Sequence, residues 1–360
     1  MTQSSTQRHS QPYASPSPRN PVGPESPSKF VGCSKLEEYE LANKLGEGTF
    51  GEVTKARHRS TGQMVALKRI FVQSENDGVH ITSIREIKIL KSLDHPNVVP
   101  LIDIAIERGN FALRQRANIY MVFPYMDHDL TGLLENPAVR FTLPQIKCYM
   151  KQLLSGMHYL HSQKILHRDI KASNLLINNQ GTLCIADYGL ARAYDPDANE
   201  KYTNCVVTRW YRPPELLLSE SRYTSAIDMW AIGCVLGEML RGKPILPGHS
   251  DLEQLDCIFR LCGSPSEYTM PGWNDLPGCE GVKSFKSYPR RVKQEFSNDN
   301  VHAADLLDKL LVLNPKKRLT ASQALDHEFF WSEPLPADPA DLPTYEASHE
   351  FDIRQQILYH

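Results

Sequence analysis

The hydrophobic pattern changes its period once along the chain, and that change limits the fold more than any other feature. Residues 39–45, 52–57 and 63–71 alternate apolar with polar side chains, with Gly-rich or polar turns between them. That is the pattern of an antiparallel meander. Residues 81–93 then space apolar side chains three and four apart, which predicts one helix. Strands are expected again near 98–106 and 118–123, with a polar, basic surface loop over 107–117 between them. From about Asp129 onward the period is mostly helical. The longest helices are predicted over 143–163 and 226–241, the second apolar on every side and therefore buried. Strands followed by helices give an α+β, bilobal chain: a small β-rich lobe over 37–125 and a larger helical lobe over 126–331.

The flanks differ. Residues 1–36 are rich in Ser, Pro, Gln and Asn, and such a segment buries too little apolar surface to offset its ordering entropy. It reads as a disordered tail. Its Ser15-Pro16, Ser17-Pro18 and Ser26-Pro27 pairs suit a solvated linker or, alternatively, a set of proline-directed phosphosites. Residues 332–360 are Pro- and acid-rich and read as an extended C-terminal segment.

Composition serves to exclude. A chain of 360 residues, 41% apolar and 23% charged, is too long for one small core and too apolar to be disordered throughout. Its net charge of −2 provides no global basic field, so neither direct nucleic-acid binding nor membrane binding is expected. The longest apolar run, 229–240, is too short to span a bilayer. The first residues lack the charged-then-apolar pattern of a secretory signal. Eight cysteines without a Cys-x-x-Cys pair favour free thiols in a reducing compartment.

Chemistry-bearing residues come in a fixed order. Gly46, Glu47, Gly48, Thr49, Phe50, Gly51, Glu52 and Val53 occupy a strand-to-strand turn, where glycines let backbone close over a polyphosphate. Alone, the string is equally a tight hairpin. The next strand carries Val65, Ala66, Leu67 and Lys68, and a lysine on an apolar strand is costly without an anion beside it. The following helix offers Glu86. The helical lobe then supplies His167, Arg168, Asp169, Ile170, Lys171, Ala172, Ser173 and Asn174, with Asp187, Tyr188 and Gly189 after them.

This ordered set resembles the eukaryotic protein kinases, over about residues 39–331. The resemblance implies ATP and Mg²⁺ as cofactors. The glycine loop would cover the ATP phosphates, and Lys68, positioned by Glu86, would hold the α and β phosphates. Asp187 and Asn174 would be the metal ligands, Asp169 would accept the proton of the attacking hydroxyl, and Lys171 would neutralise the γ-phosphoryl. Phe123, Pro124, Tyr125 and Met126 resemble the linker that holds adenine, with Phe123 as gatekeeper and with the Pro124 carbonyl and the Met126 N–H facing the base. Leu45, Val53, Ala66, Asp129 and Leu176 complete the implied nucleotide site. Glu215 is expected to pair with Arg318, and Asp228 to brace the catalytic loop.

Within the kinases, Ile81, Thr82, Ser83, Ile84, Arg85 and Glu86 resemble the cyclin-contacting helix of the cyclin-dependent group. Thr203 matches its activating threonine, with Arg85, Arg168 and Arg192 placed to gather around a phosphate there. Val207 and Arg212 match the pocket for the residue after the target. There an arginine occupies a backbone carbonyl, so that only proline leaves no N–H unsatisfied, a penalty of roughly 1–3 kcal/mol otherwise. The run over 308–315, the run over 327–331 and the Pro-rich end over 335–346 resemble the transcription-elongation branch, including its fungal Bur-type member. That implies a nuclear Ser/Thr kinase with a T- or K-like cyclin and a separate activating kinase for Thr203. Its substrates would be Ser/Thr-Pro sites, including the repeats of the RNA polymerase II largest subunit. The Lys68–Glu86 pair is expected to form only once the cyclin moves the helix.

The sequence also departs from the pattern. Tyr188 stands where Phe is usual, Phe50 where cell-cycle relatives carry an inhibitory tyrosine, His80 where proline is usual, and Arg209 where leucine is usual. A cell-cycle or mitogen-activated-type kinase is the alternative among enzymes, although Tyr202-Thr203 has the wrong order for the latter. A scaffold that keeps the fold without the chemistry is the alternative outside them.

Overall fold

A computed structural model describes residues 30, 32–48, 51–70, 79–109, 117–195, 200–280, 285–347 and 349. The N-terminal lobe is built on a sheet of β1 (Cys33–Lys35), β2 (Tyr39–Gly48), β3 (Gly51–His58), β4 (Met64–Ile70), β5 (Asp103–Glu107) and β6 (Asn118–Pro124), with helix α1 (Ile81–Leu90) between β4 and β5. The spatial order is β1-β5-β6-β4-β3-β2. Alternation decides the two faces. Val65 and Leu67 of β4 join Ala56, Ala105 and Val122 in a small core. Ala66 and Lys68 alternate with them along β4 and therefore face the opposite side, where the cleft is.

The helical lobe contains β7 (His128–Asp129), α2 (Leu130–Glu135), α3 (Leu143–Ser162), β8 (Ile165–Leu166), β9 (Leu175–Ile177), β10 (Leu183–Ile185) and β11 (Arg192–Ala193). They are followed by α4 (Pro214–Leu217), α5 (Ala226–Arg241), α6 (Asp251–Cys262), α7 (Val292–Phe296), α8 (Val301–Leu310) and α9 (Ala321–Leu325). Helix α3 opens with a capping box between Thr142 and Gln145. Helix α5 is buried at every residue from Ile227 to Met239, as its apolar composition requires, and ends on Gly242 at φ 69°. Short β-pairs, β7-β9-β10 and β8-β11, fix the loops that carry the site. The architecture is α+β and bilobal, and no helix among the described residues is long and apolar enough to cross a membrane.

Four expectations need correction. The tail does not run to 36, because Cys33–Lys35 pairs in parallel with β5 and Leu36 is buried. A strand this short has no readable period. The helix predicted over 81–93 ends at Leu90. The strand expected from 98 begins only at Asp103. Val98, Val99 and Leu101 are apolar because they form a buried connector between the lobes, with Val98 bridging Ile185. Phe71 and residues 110–116 lie outside the described residues.

Fourth, residues 332–347 are not a free tail but are docked on the helical lobe. Lys147 of α3 is fully buried, and its Nζ donates to the Ser332 and Pro334 carbonyls at 2.7 and 2.8 Å. Burial pushes that ammonium's pKa down. The Ala337 N–H donates to the Pro144 carbonyl, and Leu342 is buried. The Asn179 side chain accepts from the Tyr345 N–H and donates to its carbonyl, both at 3.1 Å.

Candidate active site

A cavity of about 640 Å³ opens between the lobes. Three charges meet inside it. Lys68 Nζ of β4 lies 2.8 Å from Glu86 Oε1 of α1 and 2.9 Å from Asp187 Oδ1, which follows β10. Burial pulls the Lys68 ammonium down, but Asp187 and Glu86 outweigh it and hold the pKa above the ordinary lysine value. Burial pushes the Glu86 carboxyl up, and Lys68 only partly reverses this. At Asp187 burial again pushes upward, yet Lys68 more than reverses it, with help from His167 and Lys171, so the group stays ionised. The pair expected to await a partner is therefore closed in the chain alone. Glu86 is buried on α1, so leaving it unpaired would strand a charge in a dry site.

The catalytic loop comes next. Asp169 is buried, and its Oδ1 accepts from the Thr208 N–H at 3.1 Å and the Thr208 hydroxyl at 2.9 Å. Its Oδ2 lies 3.2 Å from Lys171 Nζ and 3.1 Å from Asn174 Nδ2. Asp228 in the first turn of α5 holds the loop from below. Its carboxylate accepts from the His167 N–H at 3.1 Å, from the Arg168 N–H at 2.9 Å and from His161 Nε2 at 3.0 Å. Burial pushes Asp228 up, but these bonds outweigh it and the pKa falls. Thr208 and His161 are functional partners that sequence reasoning missed. Thr208 directly follows Val207 in sequence, but nothing in its type or spacing pointed to Asp169.

The donor set suits a hard divalent cation. Asn174 spends its amide N–H groups on Asp169, which leaves the amide oxygen as its free donor atom. With the Asp187 carboxylate this would offer two oxygen ligands, and Mg²⁺ bound beside phosphates needs little more from a protein. Among the described residues no group of three His, Cys, Asp or Glu forms a protein-only cage.

Leu45, Gly46, Gly51, Val53, Ala66, Phe123, Pro124, Met126, Asp129 and Leu176 all line the cavity, as expected of a nucleotide site. At Gly51 a Cβ would stand 2.0 Å from the Arg69 carbonyl oxygen, so only glycine allows this approach of β3 to β4. Glu47 and Gly48 end β2, paired with Glu52 and Gly51; Thr49 and Phe50 lie outside the described residues. His349 also lines the cavity, and sequence reasoning missed it. Its Nδ1 is 3.6 Å from Asp129 Oδ2, and its ring meets Tyr125 at 6.0 Å. Nothing in the Pro-rich C-terminal segment signals this, because it depends on where the docked segment ends.

The pocket expected to face a substrate is equally ordered. Val207 is buried at φ 66°, and its carbonyl accepts from Arg212 Nε and Nη2 at 3.1 and 3.0 Å. Thr203 is exposed. Arg168 is buried nearby, Arg192 covers the Tyr202 ring at 4.8 Å, and Arg85 lies exposed on α1. Arg209 does not enter the cavity lining; it reaches Asp251 and the His249 carbonyl instead. The Tyr188 hydroxyl finds the Ile185 carbonyl at 3.4 Å, a weak partner for a buried phenol. Below, Arg318 and Glu215 form a bidentate pair at 2.9 and 3.1 Å, as expected.

Comparisons with known proteins agree with this geometry. The sequence profile of the protein kinase domain matches residues 39–330. A Schizosaccharomyces pombe protein named probable cyclin-dependent kinase 9 is 57% identical over 91% of this chain and 57% of its own length. Serine/threonine-protein kinase bur1 of Emericella nidulans is 55% identical over 91% of this chain and 62% of its own. The chain thus spans less than two-thirds of these relatives. A solved structure, the yeast RNA Pol II CTD kinase CTDK-1 complex, superposes with a TM-score of 0.77 at 38% identity, covering 92% of this chain and 100% of that one.

Proposed function

From its membership of the protein kinase family, which implies ATP and a divalent metal, we propose that this chain is a cyclin-dependent Ser/Thr kinase of the transcription-elongation type. One observation carries the reading. Lys68, Glu86, Asp187, Asp169, Lys171 and Asn174, drawn from both lobes, converge on one cavity whose outer end holds Val207 with its carbonyl already occupied by Arg212.

The chemistry follows from position. Lys68, fixed between two carboxylates, holds the α and β phosphates, while the backbone around Gly46 and Gly51 covers them. Asp187 and Asn174 hold Mg²⁺, which neutralises phosphate charge when bound. Asp169 is oriented by Thr208 and Asn174 to take the proton of the incoming hydroxyl, and Lys171 meets the charge of the transferred group. The occupied Val207 carbonyl selects proline after the target Ser or Thr, since proline has no N–H to leave unpaired. Thr203 is the activating phosphosite of a separate kinase, with Arg85, Arg168 and Arg192 as its receptors. Exposed Ile81 and Ile84 on α1 suit a T- or K-like cyclin. The relatives' names support the C-terminal repeats of RNA polymerase II as substrate, and with them a nuclear site of action.

The test is affinity capture of the chain with identification of the co-purifying cyclin, followed by phosphate transfer to Ser-Pro and Ser-Ala peptides. Transfer with cyclin and a strong Pro preference is the expected result. A cyclin-bound, Thr203-phosphorylated chain that transfers nothing would leave only the scaffold reading.

A further inference from the structure

Thr203 itself is tied to the catalytic loop, among the described residues, through one phenol. Tyr223, in the turn before α5, is buried. Its hydroxyl donates to the Thr203 carbonyl at 2.7 Å and accepts from Arg168 Nη1 at 3.0 Å. Arg168 in turn is anchored along its length. Its Nε donates to the Leu190 carbonyl at 2.7 Å, its N–H to Asp228 at 2.9 Å, and its carbonyl accepts from the Val207 N–H at 2.9 Å. A single hydroxyl thus joins the Thr203 segment to the residue preceding Asp169 and, through it, to the proline pocket.

The surroundings keep that hydroxyl in place. The Tyr223 ring packs on Tyr202 at 5.4 Å, and the Arg192 guanidinium covers the far ring at 4.8 Å. Burial pushes the Tyr223 phenol up, with Arg168 opposing, so the proton stays on to be donated. Arg168 Nη2 makes no hydrogen bond among the described residues and is left for an anion. The neighbouring Tyr202 hydroxyl bonds neither Thr203 nor Arg168, so it bears no part of the tie.

Resting on the reading of Thr203 as the phosphorylated residue, we propose that Tyr223 is a positioning residue whose hydroxyl holds the unphosphorylated Thr203 segment against Arg168. A phosphate on Thr203 brings close to two negative charges and several acceptor oxygens to the same guanidinium. It then supplies the link the phenol supplied alone. The bridge therefore matters most before phosphorylation and gives the cyclin-bound enzyme a basal activity.

The experiment compares cyclin-bound wild type, Tyr223→Phe and Tyr202→Phe, each with threonine or genetically incorporated phosphothreonine at 203, on a Ser-Pro peptide. Tyr223→Phe is expected to lower kcat/KM about tenfold in the threonine form, the kinetic equivalent of one lost buried hydrogen bond, and less than about threefold in the phosphothreonine form. Tyr202→Phe is expected to change neither. Hydrogen exchange at the Val207 and Thr208 amides is the second readout where basal turnover is too low to measure. It should quicken in Tyr223→Phe and recover with phosphate. Equal losses in both forms, or unchanged turnover and exchange, overturn the bridge alone. A wild type that gains nothing from phosphate at 203 refutes the Thr203 reading and this inference with it.

Discussion

Two buried ion pairs in this molecule share their chemistry and differ in everything else. Arg318 and Glu215 meet inside one lobe, with side chains 0% and 4% exposed, and Arg318 also donates to the Val312 and Ala226 carbonyls. Nearly every donor of the fork is used, and nothing is left to bind. Lys68, Glu86 and Asp187 meet across two lobes from a strand, a helix and a loop. Asp187 keeps 32% of its side chain open to the cavity. A saturated pair inside one body works as a rivet. A triad that leaves a carboxylate open to solvent between two bodies works as a binding site. Burial and opposite charge alone do not tell the two apart; unspent bonding capacity does.

Substitutions should separate them. The largest effect is expected from Asp187→Asn, which removes the proposed metal ligand but leaves Lys68 paired with Glu86. Phosphate transfer should fall by about 10³-fold while the melting temperature barely moves. A variant that keeps more than a tenth of the activity would break the distinction. Glu215→Ala should do the reverse. It strands Arg318 among carbonyls and should cost about 3–5 kcal/mol in urea unfolding. Any protein that does fold should retain its nucleotide affinity. Undiminished stability would show that the pair is not a rivet.

Another buried carboxyl sharpens the point through pH. Glu238 on α5 is pushed up to about 7 by burial, although the Tyr211 hydroxyl donates to it at 2.6 Å and partly opposes this. The folded chain thus keeps a proton that the unfolded chain releases above its ordinary value of 4.5. The native state binds more protons, so stability should fall as pH rises from that value to about 7 and level off above it. Urea unfolding at acidic and alkaline pH should show a loss of about 3 kcal/mol that Glu238→Gln removes. Identical slopes in both proteins would contradict it. The smallest effect is expected at His349, whose only described ion contact is Asp129. His349→Ala should raise KM for ATP about threefold with kcat unchanged, a fraction of one hydrogen bond. A change in kcat instead would move His349 from binding to chemistry.

How much of this was legible depended on how local each signal was. Lys68 and Glu86 could be read beside the glycine loop as a phosphate clamp, whereas Asp169, Asn174 and Asp187 took their expected roles from the resemblance to the protein kinases. The rivet and the Asp228 brace were readable only through resemblance, since Glu215 and Arg318 are far apart in the chain and unremarkable alone. The connector at 98–102 misled because apolar residues buried between lobes look like those buried in a sheet. The closed Lys68–Glu86 pair, Thr208 on Asp169, the Tyr223 bridge and the reach of residue 349 had no signal. Each depends on distances set by packing between segments distant in sequence.

The sequence by itself determined which chemistry the chain can perform and which lobe is strand and which is helix. Residue type and hydrophobic period are local properties, and they survive without coordinates. Only the tertiary structure decided which charges are spent and which remain available, whether α1 stands in or out, and that the C-terminal segment returns to the cavity. Those outcomes follow from desolvation and hydrogen-bond geometry. Both are sums over neighbours that the linear order of residues does not list.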